Sequence, residues 1–190
     1  MLNGLLRVGV LAGCASLVCA AAPAQEIVHA LTGTVRFVDT SAKTITVITD
    51  DKSEGQFKDD TDSKPPAEFD RKTSADTTGT STSDKVGAYV IVFYYGGEDM
   101  RRAVLLQNLG RGPFTQNRGT VVKFDNKEHV VTVKDESGQI VTYKITADTV
   151  AETAFGAQGG FKYVPRKGDQ IKVIAVDANG SPTAVFINAV

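Results

Sequence analysis

The sequence predicts an all-β protein made of two similar five-stranded barrels in tandem. Three observations predict it: an internal repeat, short runs of β-branched residues, and turn residues between those runs. The chain has 190 residues, of which 42% are hydrophobic and 23% charged, and its formal net charge is −1. This composition is typical of globular proteins and excludes collagen-like, coiled-coil and wholly disordered chains. The near-neutral charge makes nucleic acid an unlikely partner.

The first 24 residues are predicted to be a secretory signal peptide. Residues 1–7 carry one positive charge, residues 8–20 form an apolar run of 13 residues, and Ala22-Pro23-Ala24 offers small residues for cleavage. The apolar run is shorter than the roughly 20 residues that span a bilayer, so we expect no transmembrane segment. The alternative is a lipid anchor at Cys14, because Leu11-Ala12-Gly13-Cys14 resembles a bacterial lipoprotein box. We therefore expect a periplasmic or secreted protein or, in the alternative, a membrane-anchored lipoprotein.

An internal repeat organises the rest of the chain. Gly33-Thr34-Val35 recurs as Gly119-Thr120-Val121, at an offset of 86 residues. Further along, the match resumes at an offset of 81 residues, so the first copy carries five extra residues in its middle. A repeat of this length predicts two domains. The predicted boundaries are 31–109 for the first copy, 110–116 for a linker and 117–190 for the second copy.

Short runs of β-branched residues predict the strands of each copy. The first hairpin of each copy has an Asp in its turn, Asp39 or Asp125, whose side chain can accept hydrogen bonds from the N–H groups of the turn. Glycine-containing turns then delimit a third strand and a closing hairpin. The strands that these signals predict are 44–48, 56–58, 86–95 and 102–106 in the first copy, and 130–133, 140–145, 170–176 and 183–187 in the second.

The segment between the third and fourth strands differs between the copies. One short helical turn is predicted at Pro65-Pro66-Ala67-Glu68-Phe69 and another at Ala151-Glu152-Thr153-Ala154. Residues 72–84 contain no large apolar side chain, and we expect them to form a mobile loop. Three strands, a short helix or loop and two more strands follow the order of a five-stranded OB-like barrel.

The recurring motifs are Gly-Thr-Val, an Asp four residues later, Thr-Val, an aromatic-Lys pair and a closing Ala-Val strand. Together they resemble a bacterial family of exported repeat domains of unknown function, which is predicted to form small OB-like barrels. The fold is also similar to that of periplasmic copper carriers, which bind the metal through His and Met beside a Trp. This chain has no Trp. The resemblance therefore does not imply copper binding, and we expect no cofactor.

Catalytic and metal-binding patterns are missing from the sequence. His29 and His129 are predicted to be solvated, and no Gly-x-Ser-x-Gly motif surrounds a serine, so we expect a non-enzymatic protein. Acidic residues cluster around one hairpin of the first copy, but their spacing does not match a calcium-binding loop. A solvated acidic turn is therefore favoured over a metal site. The acidic residues are Asp50, Asp51, Glu54, Asp59, Asp60 and Asp62.

An aromatic stripe lies on the fourth strand of the first copy. Val90, Val92 and Tyr94 are assigned to the inward face, because their counterparts in the second copy are uncharged. The opposite face is aromatic and is followed by two arginines, a combination that can stack bases or sugar rings. The candidate ligand-binding residues are Tyr89, Phe93, Tyr95, Arg101 and Arg102. Burial of the stripe between the two copies is the alternative, and we favour it.

The sequence thus predicts an exported, non-enzymatic binding or scaffolding protein whose partner is an unknown small ligand or protein. Two alternatives stay open. One is a binder of oligosaccharides or other small ligands that uses the aromatic face of the first copy. The other is a periplasmic cation-binding stress protein.

Overall fold

A computed structural model describes residues 27–60, 86–97, 100–110, 112–178 and 180–189, and these ranges are all-β. The predicted signal peptide, the predicted turn at 65–69 and the predicted loop at 72–84 lie outside the described residues. Within the described ranges, no helix has the length and apolar character needed to cross a bilayer.

The first barrel closes five strands in the order β1-β2-β3-β5-β4. Strand β1 pairs with β4 through its first half and with β2 through its second half, so it turns a corner of the barrel. The parallel pairing of Lys58 with Arg102 joins β3 to β5 and completes the ring. The strands are β1 His29–Asp39, β2 Thr44–Thr49, β3 Glu54–Asp59, β4 Tyr89–Tyr95 and β5 Arg102–Gly110.

The second barrel repeats this order with β6-β7-β8-β12-β11, and the parallel pairing of Thr183 with Lys144 closes it. An extra hairpin, β9 and β10, extends the sheet because β9 pairs with the edge of β12. A single 3₁₀ turn, Gly160–Lys162, follows the hairpin. The strands are β6 Phe114–Asp125, β7 Val130–Asp135, β8 Ile140–Lys144, β9 Val150–Thr153, β10 Gly156–Gly159, β11 Gln170–Ala178 and β12 Ser181–Ala189.

The recurring sequence motifs occupy the same places in the two barrels. A Cβ atom at Gly33 would collide with the carbonyl oxygen of Ile48, and one at Gly119 would collide with that of Lys134, so the strands can approach only at glycine. The Asp39 carboxylate accepts hydrogen bonds from two N–H groups of its turn, and Asp125 does the same. These predicted turn caps are confirmed.

Each barrel has its own apolar core. Inward residues of β4 and β11 lie in these cores, which confirms the predicted inward face at Val90, Val92 and Tyr94. The buried core residues of the first barrel are Val35, Ile45, Val47, Phe57, Val90, Val92, Ala103 and Leu106. Tyr94 is partly buried against this cluster.

Two local predictions differ from the structure. The predicted helical turn at 151–154 is wrong, because Val150–Thr153 forms strand β9. Residues 150–152 pair in parallel with residues 186–188 of β12, a long-range contact that local propensity does not reveal. Strand β6 begins at Phe114, within the segment assigned to the linker, because residues 114–116 pair with residues 174–176 of β11.

Candidate functional site

The two barrels contact each other through the outward face of β4 and the outward face of β11. A third apolar cluster lies between them and includes Phe93, which is fully buried, and Ile174. Burial of large apolar side chains of this kind is the main contribution to holding two units together. The buried members are Val28, Ala30, Ile91, Phe93 and Val104 from the first barrel, and Val150, Ile174 and Phe186 from the second.

The tyrosines of the aromatic stripe are held by protein contacts. The Tyr89 hydroxyl donates to Oδ1 of Asp50 at 2.9 Å, and its ring lies 4.9 Å from that of Phe114. Burial, followed by the Asp50 charge, raises the pKa of Tyr89 above its usual range. The Tyr95 hydroxyl donates to Oδ2 of Asp60 at 2.9 Å. A ligand cannot stack on Phe93 while the barrels are docked.

The two arginines of the candidate site lie in different surroundings. The Arg101 guanidinium is 5.6 Å from the centre of the Tyr94 ring, a cation–π distance. Arg102 lies 3.6 Å from Oδ2 of Asp60, on the same acidic group that Tyr95 contacts. The structure therefore does not assemble the five sequence-predicted residues around one open surface.

A buried carboxylate, Asp50, joins the barrels. Its Oδ1 accepts hydrogen bonds from Tyr89 and Gln116, and its Oδ2 accepts from Thr32 and from Nζ of Lys172, the last at 3.1 Å. The Asp50 side chain is only 7% exposed, and these partners offset the cost of burying its polar oxygens. Two donors come from each barrel, and the carboxylate fixes their relative orientation.

A second carboxylate, Glu152 of β9, bonds to the beginning of β1. Its Oε2 accepts a hydrogen bond from the backbone N–H of Ala30, and its Oε1 lies 2.7 Å from Nδ1 of His29. Burial raises the pKa of Glu152, while the hydrogen bonds to His29 and Ala30 partly oppose the shift. His29 is thus tied to the second barrel, which differs from the solvated histidine that the sequence predicts. His129 stacks on the ring of Phe161 at 4.3 Å.

The described acidic side chains of the hairpin contact different partners and do not converge on one point. Asp51 accepts hydrogen bonds from Thr49 and Ser53, and these bonds lower its pKa to about 2. Glu54 pairs with Arg36 at 2.7 Å. Asp62 lies outside the described residues, and the residues within the described ranges contain no acidic or histidine cluster suited to a metal ion.

A half-open cleft of about 380 Å³ lies between the barrels, beside the Asp50 contact. Its walls combine charged and apolar residues, and the apolar side chains are those of Leu31, Tyr94 and Phe186. The volume falls in the range of small-molecule sites, roughly 300 to 1,000 Å³. The other residues that line it are Thr32, Thr49, Asp50, Asp51, Ser53 and Arg101 from the first barrel, and Arg118, Lys172 and Asn188 from the second.

Three donor-bearing side chains form a row across the wall of the second barrel. Lys172 of β11 is directly opposite Arg118 of β6 on one side and Asn188 of β12 on the other. Side chains in such register share one face of the sheet and have Cβ atoms about 5 Å apart. We call Arg118, Lys172 and Asn188 the donor row. Within the described ranges, the side chains of Arg118 and Asn188 have no hydrogen-bond or ion-pair partner.

Sequence reasoning missed the donor row, although one signal was present. Lys172 is the counterpart of Ile91, and it places a charge on a face that also carries Ile174 and Val176. A lysine in that position indicates a carboxylate or a ligand opposite it. Neither the partner, Asp50, nor the neighbour, Arg118, can be identified without the strand register and the docking of the barrels.

No protein-family model matches the chain, and no curated protein matches it. Among solved structures, a copper(II) form of CusF from Escherichia coli, carrying a tryptophan-to-alanine substitution, shows 13% identity and a TM-score of 0.32. That similarity covers 40% of this chain and 91% of the CusF chain. The fold assignment accordingly rests on the strand order and closure of the two barrels.

Proposed function

We propose that this chain is an exported, non-enzymatic binding protein that holds a small ligand in the cleft between its two barrels. The observation that carries the proposal is the cleft itself. It is about 380 Å³ in volume, and both barrels supply its walls. Small-molecule sites occur preferentially at interfaces of this kind, where two rigid units form a concave surface.

The docking of the barrels supports a preformed site. The apolar cluster around Phe93 and the hydrogen bonds to Asp50 and Glu152 hold the walls at several separate points. In addition, the N–H of Ala157 donates to the carbonyl oxygen of Val28 at 2.7 Å. A site that is rigid before binding loses less conformational entropy when it takes a ligand.

Binding rather than catalysis is proposed because both acids that line the cleft are engaged in hydrogen bonds within the protein. Hydrogen bonds hold the pKa of Asp51 at about 2, far below neutral pH. Asp50 accepts four hydrogen bonds, including one from a lysine. General acid–base catalysis favours groups whose pKa is near the working pH.

Export is the second part of the proposal and rests on the amino-terminal sequence. The positive residue, the apolar run and the Ala22-Pro23-Ala24 site favour a periplasmic or secreted location over a lipid anchor at Cys14. The resemblance to exported repeat domains of unknown function supports the same location. Intact-mass measurement of the mature protein tests it: a chain beginning at Gln25 supports cleavage after Ala24, whereas a lipidated Cys14 would place the protein on a membrane.

Ligand screening by thermal shift tests the binding function. A cleft ligand present at 100 times its dissociation constant should stabilise the protein by about 2.7 kcal/mol. The stabilisation should be much smaller in Asn188→Trp, where the larger side chain fills part of the cleft. Val164→Trp is the matched control, because Val164 is 63% exposed and does not line the cleft. Equal stabilisation of both variants would show that binding occurs elsewhere.

A further inference from the structure

We propose that the cleft takes a small organic anion, and that the donor row binds its carboxylate or phosphate group. This inference rests on the proposed function and adds the chemical class of the ligand. Four observations carry it: the acids of the cleft already have partners, two cations lie side by side in the donor row, unused donors remain there, and the cleft has an apolar wall.

The two acids that line the cleft have their hydrogen bonds made by the protein. Asp50 accepts four hydrogen bonds, which is about the capacity of a carboxylate. Asp51 accepts bonds from the Thr49 hydroxyl and from both the hydroxyl and the N–H of Ser53. Both oxygens of Asp50 are therefore in use, whereas all three bonds to Asp51 end on its Oδ1.

The cations of the donor row are not balanced in the same way. Arg118 and Lys172 are directly opposite each other on antiparallel strands, an arrangement in which like charges destabilise the sheet. Asp50 balances Lys172 at 3.1 Å, but Arg118 has no partner of opposite charge among the residues that the structure describes. An anion between the two side chains would remove this repulsion.

The donors that remain in the row match an oxyanion. Arg118 offers a planar guanidinium that can bind two oxygens of one carboxylate or phosphate group. The Lys172 ammonium has three N–H bonds and uses one of them on Asp50, and Asn188 adds an amide NH₂ group. The row therefore presents several donors on one face of the sheet, with Arg118 and Asn188 on either side of Lys172.

The remainder of the cleft limits the size of the ligand. A volume of about 380 Å³ is near the lower end for small-molecule sites, so the ligand has the size of a sugar acid or a sugar phosphate rather than a long polymer. Leu31, Tyr94 and Phe186 supply an apolar wall on which the carbon skeleton of such a ligand can rest.

Titration calorimetry with matched pairs of probes tests the inference. One pair is galacturonate and galactose, and the other is glucose 6-phosphate and glucose. At low salt we expect at least one charged probe to bind at least tenfold more tightly than its neutral partner. A preference for galacturonate identifies a carboxylate site, and a preference for glucose 6-phosphate identifies a phosphate site.

Three variants assign the binding to the donor row. Arg118→Gln should weaken binding of the charged probe by about tenfold or more, because a charge-assisted pair is lost. Arg118→Lys keeps the charge and should restore part of the affinity. Arg166→Gln is the matched control, since Arg166 is exposed and does not line the cleft, and it should bind as the wild type does. Thermal unfolding of each variant shows that it is folded.

The outcomes separate this inference from the function on which it rests. Equal binding of charged and neutral probes in the cleft would overturn the anion inference and leave the binding function standing. The anion inference would also be overturned, and the binding function left standing, if Arg118→Gln is folded and binds the charged probe with unchanged affinity while Asn188→Trp does not bind it. Failure of every probe to bind would overturn the anion inference, and the broader ligand screen would then decide the binding function independently.

Discussion

The interiors of the two barrels are alike, whereas the surfaces that face the cleft and the interface differ. Val35 and Val121, which are 86 residues apart, lie just before a β-bulge in their barrels, and both are buried. Phe57 and Tyr143 occupy a second pair of matching core positions, at the same offset. The core positions are similar because each must fill the inside of a small closed barrel of the same shape.

One row of residues on the outer surface shows the difference most clearly. In the first barrel the row is Thr32, Ile91 and Gln107, which are paired across β1, β4 and β5. The matching positions of the second barrel carry Arg118, Lys172 and Asn188. In the first barrel Ile91 is fully buried at the interface, whereas the second barrel presents three strong donors to the cleft. The two barrels therefore differ in the chemistry of their outer faces, while their cores are alike.

The largest effect is expected for Phe93→Ala, which removes a fully buried ring from the cluster between the barrels. Truncation of such a residue should lower the free energy of unfolding by about 3 kcal/mol or more. Phe155→Ala is the control, because Phe155 is 90% exposed and should change stability very little. Chemical denaturation measures both variants. A small change for Phe93→Ala would mean that the barrels are not docked through this face in solution.

An intermediate loss of stability is expected for Asp50→Ala. The change leaves the Lys172 ammonium and the Tyr89 hydroxyl without their acceptor and should cost about 2 to 3 kcal/mol of stability. Glu136→Ala is the matched control, since Glu136 follows the second strand of the other barrel at the equivalent position but is exposed. Its effect should stay within about 0.5 kcal/mol. Equal losses for the two variants would contradict the asymmetry between the barrels.

The smallest expected effect is on the pH dependence of stability, and it arises from the turn that contains Asp51. The folded protein holds Asp51 ionised down to its pKa of about 2, whereas in the unfolded chain the carboxylate binds a proton near its ordinary pKa of 3.8. Between these values the unfolded state binds more protons, so stability should fall as the pH decreases through this range. Asp51→Asn should show a shallower fall than the wild type between about pH 4 and pH 2. Identical slopes would show that the hydrogen bonds from Thr49 and Ser53 do not persist in solution.

Local signals in the sequence were sufficient for most of the fold. The caps at Asp39 and Asp125 depend only on residues near one another in the chain, so turn chemistry identifies them. The inward face of β4 follows from a period of two together with the uncharged counterparts in the second copy. The hairpin strand β9 could not be found in this way. Residues 150–153 have no strong preference of their own and become a strand because β12 offers an edge.

The candidate site was harder to predict than the fold, because it depends on how two barrels dock. The aromatic stripe was correctly separated from the inward face of β4, but its chemistry alone could not distinguish a ligand platform from an interface. Asp50 was visible only as one member of an acidic cluster. Its partners Gln116 and Lys172 are 66 and 122 residues away in the chain, so only the three-dimensional structure brings them together.

The barrels form one unit around Asp50 and Lys172, with the cleft beside that contact. A double-mutant cycle with Asp50→Asn, Lys172→Met and the double variant tests it most directly. Because the two residues belong to different barrels, a coupling energy requires the barrels to be docked. We expect a coupling of roughly 1 to 3 kcal/mol in the free energy of unfolding, whereas additive effects, within about 0.3 kcal/mol, would contradict the claim.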